Sequence, residues 1–236
     1  MILDFLPKSR FIEEFVGVSR ILYSLLDTEG ISATQWNVES TLSTICVVCS
    51  KNTSGGKMRD VKRWYDWICK LVEVILKKHR LRIEGHYHLL VTAMQSILGH
   101  LLRGRNKIGG ASNEQAWVPT KEAERYNRLV TLICEPSAAA VTRSKKTNAL
   151  ESATDTAKRS AGRHMYLLLM HYVKLQLEVD VPHPVRMALE PGMNSIFDIT
   201  SPEMRRVMND GMDASGRAII RELFGRYTKF GKWSGV

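Results

Sequence analysis

Apolar residues in this chain recur at spacings of three and four almost from end to end, and no alternating run bounded by turn residues interrupts them. Wound at 3.6 residues per turn, that spacing gives each segment one apolar stripe, and it leaves no material from which to build a sheet. The fold class predicted is all-α. Between Phe5 and Leu26 the residues Phe11, Phe15, Val18, Leu22 and Leu25 step in this way. Further helices are predicted over TQWNVESTLSTICVVCS, Arg59–His79, Tyr87–Leu102, Thr120–Cys134 and Leu150–Glu178. The last of these becomes apolar on nearly all sides in MYLLLMHYVKLQL, which predicts burial between neighbouring helices.

Breakers and caps divide the helices. NTSGGK ends the second, and the cations of KKHRLR sit where the partly negative C-terminus of the third helix favours them. Residues 103–119 and 135–149 read as long loops within one domain spanning 1–236. In VPHPVRMALEPGMNSIFDI, Pro191 is expected to break or kink the helix just after Glu190. In TSPEMRRVMNDG, Ser201 is the N-cap, Pro202 takes the first helical position, and Gly211 is expected to supply a left-handed C-terminal residue. Asp213 then caps the next helix, so a tight αα-hairpin should form. Short paired helices of this kind predict an irregular helical-hairpin, α-solenoid-like domain, although no fixed-period repeat is present.

The formal charge is +10 and is spread along the chain without a basic tail. Such a balance favours polyanionic or acidic partners through long-range attraction and is silent about fold. Four cysteines at irregular spacing do not make a disulfide framework, the acid at Asp4 argues against a signal peptide, and no segment reaches membrane-spanning length. CVVC, Cys46 to Cys49, lies near a helix C-terminus, where the dipole disfavours thiolate, and no second ligand pair follows at zinc-site spacing. Small buried apolar residues are the better reading. His86 and His88 are two apart and should point away from each other on a helix, while His164 and His171 lie two turns apart. Carboxylate pairs such as Glu13 with Glu14 likewise share no face. No nucleophile elbow, phosphate loop or helical zinc motif occurs, so no catalytic residue, metal, cofactor or small-molecule substrate is expected. The aromatic and basic mixture of KMRDVKRWYDWICK could stack bases, but core aromatics with snorkelling cations explain it more simply.

The C-terminal stretch MDASGRAIIRELFGRYTKFGKW raises the most specific expectation. Taking about 100° per residue, Ile219, Ile220, Leu223, Phe224, Tyr227 and Phe230 share one arc, which should bury against the preceding hairpin helix. Arg217, Arg221 and Lys229 lie outside it. Together with Arg226, Lys232 and Trp233 they form a candidate face for a protein partner or RNA. Asp213 is a cap and Gly216 a packing residue whose small first turn, with Ala214, Ser215 and Ala218, should let another backbone come close.

The same residues carry a resemblance. NDGMDASGRAIIRELFGRYTKFGKW, VRMALEPGMNSIFDITS, YLLLMHYVKLQLE and TQWNVESTLSTI look like the C-terminal domain of the Urb/Npa family of fungal nucleolar pre-ribosomal RNA processing proteins, in the branch of the second of its two large members. The resemblance runs from about Thr34 onward and leaves out the two long loops. It implies a non-catalytic helical scaffold of the nucleus and nucleolus that joins early precursors of the large ribosomal subunit. It also implies company: a large sister scaffold protein, a DEAD-box RNA helicase and pre-rRNA, with no membrane. Family members are longer, so the chain is expected to correspond to one domain of them. A generic helical adaptor with no ribosomal address is the alternative.

Overall fold

A computed structural model of the chain describes residues 3, 6–8, 11–28, 33–51, 58–103, 118–137, 141 and 153–231. These residues form a 3₁₀ turn at Leu6–Lys8 and ten α-helices, with no strand among them. The helices are α1 (Ile12–Asp27), α2 (Gln35–Lys51), α3 (Met58–Lys78), α4 (Arg80–Ile83) and α5 (Tyr87–Arg103). They continue with α6 (Thr120–Cys134), α7 (Ala153–Glu178), α8 (His183–Ile199), α9 (Pro202–Asp210) and α10 (Ala214–Phe230). The all-α expectation holds. Most of the two predicted loops lies outside the described residues.

Apart from the single turn α4, the helices from α1 to α9 alternate between two layers, and α10 joins the layer of α9. In one, α1, α3, α6 and α8 lie side by side in that order; in the other, α2 packs on α5, α5 on α7, and α7 on both α9 and α10. Contacts between α2 and α3, α5 and α6, α6 and α7, and α7 and α8 join the layers. Each antiparallel pair thus leans chiefly on the pairs before and after it, the arrangement of a helical solenoid. The buried side chains form one continuous cluster running from Leu6 to Tyr227.

Polar groups close the helix ends across this stack. The guanidinium of Arg80, only 3% exposed, donates to the carbonyls of Leu132 at 2.8 Å and Ile133 at 2.7 Å. A helix leaves its last carbonyls without intrahelical partners and partly negative, so a buried cation is satisfied there. KKHRLR therefore divides its work: Arg80 serves the end of α6 rather than that of α3, because the chain turns into α4 after His79. His79 Nε2 donates to the Leu26 carbonyl at 2.7 Å and closes α1 in the same manner. Gly85, at φ +85°, makes the left-handed turn from α4 into α5 that a residue with a Cβ adopts only at a cost.

Glycines also set the distances between layers and neighbours. A Cβ at Gly162 of α7 would fall on the Ile199 carbonyl oxygen and lie 3.0 Å from its carbon. One at Gly192 of α8 would meet Asn127 Oδ1 at 2.5 Å and Val130 Cβ at 3.2 Å. The second site lets α6 and α8 come close in the broadest helix pairing among the described residues. Pro191 does not break α8, which runs unbroken through it. The carbonyl that loses its partner belongs to Met187, whose side chain is half exposed as Pro191 is exposed. On the solvent side water replaces the missing N–H at little cost.

Candidate partner interface

The C-terminal caps form as the local chemistry dictates. Ser201 accepts a hydrogen bond from the Met204 N–H at 3.3 Å, and Asp213 Oδ1 accepts one from the Gly216 N–H at 2.8 Å. Both satisfy a backbone donor that a helix start leaves orphaned. Gly211, however, is not left-handed: its φ is −79° and its ψ 0°. A Cβ there would lie 3.1 Å from Met170 Cε of α7 and 3.3 Å from the Val207 carbonyl oxygen. Gly216 is buried, as a packing residue should be, but against its own cap: its absent Cβ would meet Asp213 Oδ1 at 3.0 Å and Met212 at 3.4 Å. Ala214, Ser215 and Ala218 are exposed, so the small first turn admits no second backbone.

The apolar arc of α10 faces α7 and α8 more than it faces α9. Ile220, Leu223 and Tyr227 are buried, whereas Ile219 and Phe224 are half-buried. Phe197, Phe224 and Tyr227 close into an aromatic cluster with ring centroids 5.3 to 5.7 Å apart. The Tyr227 hydroxyl donates to Asp198 Oδ1. Burial, and then that hydrogen bond, push its phenol up to about 12. Arg205 of α9 stacks over the Phe224 ring at 5.5 Å, which is how the short helix touches α10. Phe230 departs from the expected arc. It is 67% exposed, with Lys229 Nζ 5.1 Å from its ring.

The candidate cations separate into two kinds. Arg217 is half-buried and donates to the Met212 carbonyl at 2.7 Å, fixing the turn between α9 and α10. Arg226 is half-buried beside Glu190 of α8, Nε to Oε1 3.6 Å. Arg221 and Lys229 are exposed. Lys232 and Trp233 lie outside the described residues. The basic face expected of α10 thus reduces to two exposed cations among the described residues. The other two are held within the fold, a fate decided by tertiary neighbours that helical geometry alone does not show.

The earlier aromatic and basic segment resolves in the same way. Trp64 and Tyr65 are in the core, and Trp67 is half-buried between Lys70 Nζ at 4.6 Å and Arg20 at 5.8 Å from its ring. Lys70 and Lys77 pair with Asp66 and Glu73 on their own helix. Cys49 is buried and Cys46 half-buried, and burial pushes both thiols up, away from thiolate. His86 and His88 do not point apart: His86 precedes α5 rather than lying on it, and the rings come within 6.1 Å, with His86 Nδ1 3.0 Å from Glu39. Among the described residues no His, Cys, Asp or Glu cluster has the membership of a metal site, and no helix is long and apolar enough to cross a membrane.

One surface escaped the sequence reading altogether. Leu167 and Leu177 of α7, expected to be buried in an all-apolar helix, are 38% and 50% exposed. With Met170 and Met212 they line a groove of about 480 Å³ whose floor is α7 and whose walls are α5 and the turn between α9 and α10. The available signal was Lys174, the one charge inside that apolar run, which marks the side of α7 that meets water.

Compared with protein-family models, the sequence matches that of the Urb2/Npa2 family over residues 16–236. No curated protein and no solved structure matches it.

Proposed function

From the premise that the chain belongs to the Urb2/Npa2 family, a family of ribosome biogenesis, we propose that it is a non-catalytic scaffold module in early nucleolar assembly of the large ribosomal subunit and in pre-rRNA processing. The observation that carries this reading is the family match across nearly the whole described fold. A two-layer helical stack adds a physical reason, since such stacks expose long continuous surfaces suited to holding other macromolecules. The partners in view are those of a precursor particle: a large sister scaffold protein and a DEAD-box RNA helicase, with pre-rRNA close by. A charge of +10 favours residence on an anionic particle. Raised thiol pKa values at Cys46 and Cys49 favour a structural role for the sharpest chemical motif in the sequence.

The test is sedimentation of the tagged chain from nuclear extract. Recovery with large-subunit precursors, together with accumulation of unprocessed pre-rRNA when the chain is depleted, is the expected result. A cytoplasmic partner set without precursor rRNA would refute the reading and leave a generic helical adaptor in its place.

A further inference from the structure

Tyr23 of α1 and Trp67 of α3 form an open corner. Their rings meet edge to face, with centroids 6.3 Å apart and planes at 79°, and with Lys70, Lys77 and Lys78 they line a pocket of about 380 Å³. That volume suits a small ligand or a single base, and both rings are only half-buried. Lys70 Nζ lies 4.6 Å from the Trp67 ring on a flexible stem that can swing aside. Charge gathers on the same side. Arg20 reaches the Trp67 ring from α1, Lys62 stands one turn before Asp66 on α3, and Lys121 and Arg128 flank Arg125 on α6. Asp66 pairs with Arg125, which sets α3 and α6 in register and brings these four cations into one band. All four are exposed, and none forms an ion pair with a described residue. The carboxylates near them are mostly engaged: Asp66 also pairs with Lys70, Glu73 with Lys77, Asp27 with Lys78, and Glu13 with Arg63. Glu124, exposed beside Lys121, is outnumbered.

We infer that this band across α1, α3 and α6 binds single-stranded RNA, with a base in the corner of Tyr23 and Trp67 and phosphates running over Arg20, Lys62, Lys121 and Arg128. Aromatic rings beside a row of free cations suit an unpaired strand, because a ring stacks on any base while the cations neutralise the backbone. An acidic peptide would use the cations but has no need of the two rings. The inference rests on the proposed role in pre-rRNA processing and names the face through which the chain touches RNA.

A fluorescein-labelled RNA of mixed sequence, about 12 nucleotides long, titrated with the purified full chain and followed by anisotropy, tests it. Log affinity should fall against log salt with a slope of about −3, about 0.7 for each of four phosphates. Lys121→Glu combined with Arg128→Glu should weaken binding at least about tenfold and make the slope shallower by about 1.4. The same change of charge on α7, Arg163→Glu combined with Lys174→Glu, should alter affinity less than about threefold, since charges beyond a Debye length are screened. Trp67→Leu should lose about tenfold, whereas Trp67→Phe, which keeps a ring, should retain most of the affinity. The α6 pair is exposed, so it keeps the test decisive if Trp67→Leu lowers the urea midpoint. No binding, an unchanged slope in the α6 pair, or equal weakening by both charge-reversed pairs would overturn the inference. Displacement by polyglutamate as readily as by unlabelled RNA would overturn it too, in favour of an acidic protein partner. Absence of the chain from sedimenting precursors would instead overturn the scaffold reading, and the titration of purified chain does not depend on that result.

Discussion

Replacing Gly162 by alanine should destabilise the fold even though alanine is the better helix former. At an exposed helical site the substitution gains roughly 0.5–1 kcal/mol, because glycine gives up more backbone freedom on folding. At Gly162 the new methyl would land on the Ile199 carbonyl of the backbone. That carbonyl has little room to move: the next residue, Thr200, donates its N–H to Ile196 O at 3.0 Å and its hydroxyl to the same oxygen at 2.6 Å. The crossing of α7 over the end of α8 must open by about 1 Å, and overfilling of this kind costs about 1–3 kcal/mol. Subtracting the helical gain leaves a net loss of up to about 2.5 kcal/mol, or a fall in Tm of up to about 10 °C for a chain of this size. Gly17→Ala and Gly225→Ala provide the contrast, since nothing lies within 4 Å of a Cβ at either position. Both should raise Tm by a few degrees at most. Thermal melts followed by circular dichroism at 222 nm compare the three. If Gly162→Ala melted higher than the unaltered chain, as the two control substitutions should, the close crossing described above would be wrong.

Other substitutions probe other parts of the stack. Arg80→Met keeps much of the apolar stem but leaves the Leu132 and Ile133 carbonyls without their donor, and urea titration should show a loss of about 2–3 kcal/mol. Asp213→Ala removes one cap and should cost about 1 kcal/mol by the same assay, while Arg221→Glu, on the exposed side of α10, should stay within about 0.5 kcal/mol of the parent. Tyr172 and Tyr227, whose phenols burial pushes up to about 12, ionise near 10 once unfolded. Their contribution to stability is therefore complete below about pH 10 and is lost as pH rises from there through about 12. Tyr227→Phe should flatten that alkaline decline in equilibrium unfolding; an unchanged slope would count against a raised Tyr227 phenol in the folded chain.

What could be read from the sequence was what neighbouring residues decide among themselves. Ser201 and Asp213 cap helices because a short oxygen-bearing side chain reaches a backbone N–H three residues on, and no other part of the fold is needed. The terminal apolar arc was legible for the same reason as far as Tyr227, and failed at Phe230, which is exposed. Pro191 does not end its helix, because it sits on the exposed side of α8, a placement its own neighbours in the sequence do not fix. Gly211 looked like a left-handed cap, but its backbone is right-handed, with the Met170 methyl of α7 close by. The candidate cations depended most on distant partners. Nothing near Arg226 in sequence announces Glu190, and nothing near Arg80 announces the end of α6. The exposure of Leu167 and Leu177 belongs to this class too, since an all-apolar segment carries no mark of the side left uncovered except its single lysine.

The glycine contacts have a mechanical meaning beyond their stability. Helices in a layer sit about 8–10 Å apart, so widening one crossing by about 1 Å tilts the two sides of the stack by roughly 0.1 radian. Carried over about 30 Å, the length of a 20-residue helix, that tilt moves the far end by about 3 Å. Gly162 and Gly192 therefore behave as spacers that set curvature, and a scaffold whose curvature is wrong presents correct surfaces in the wrong places.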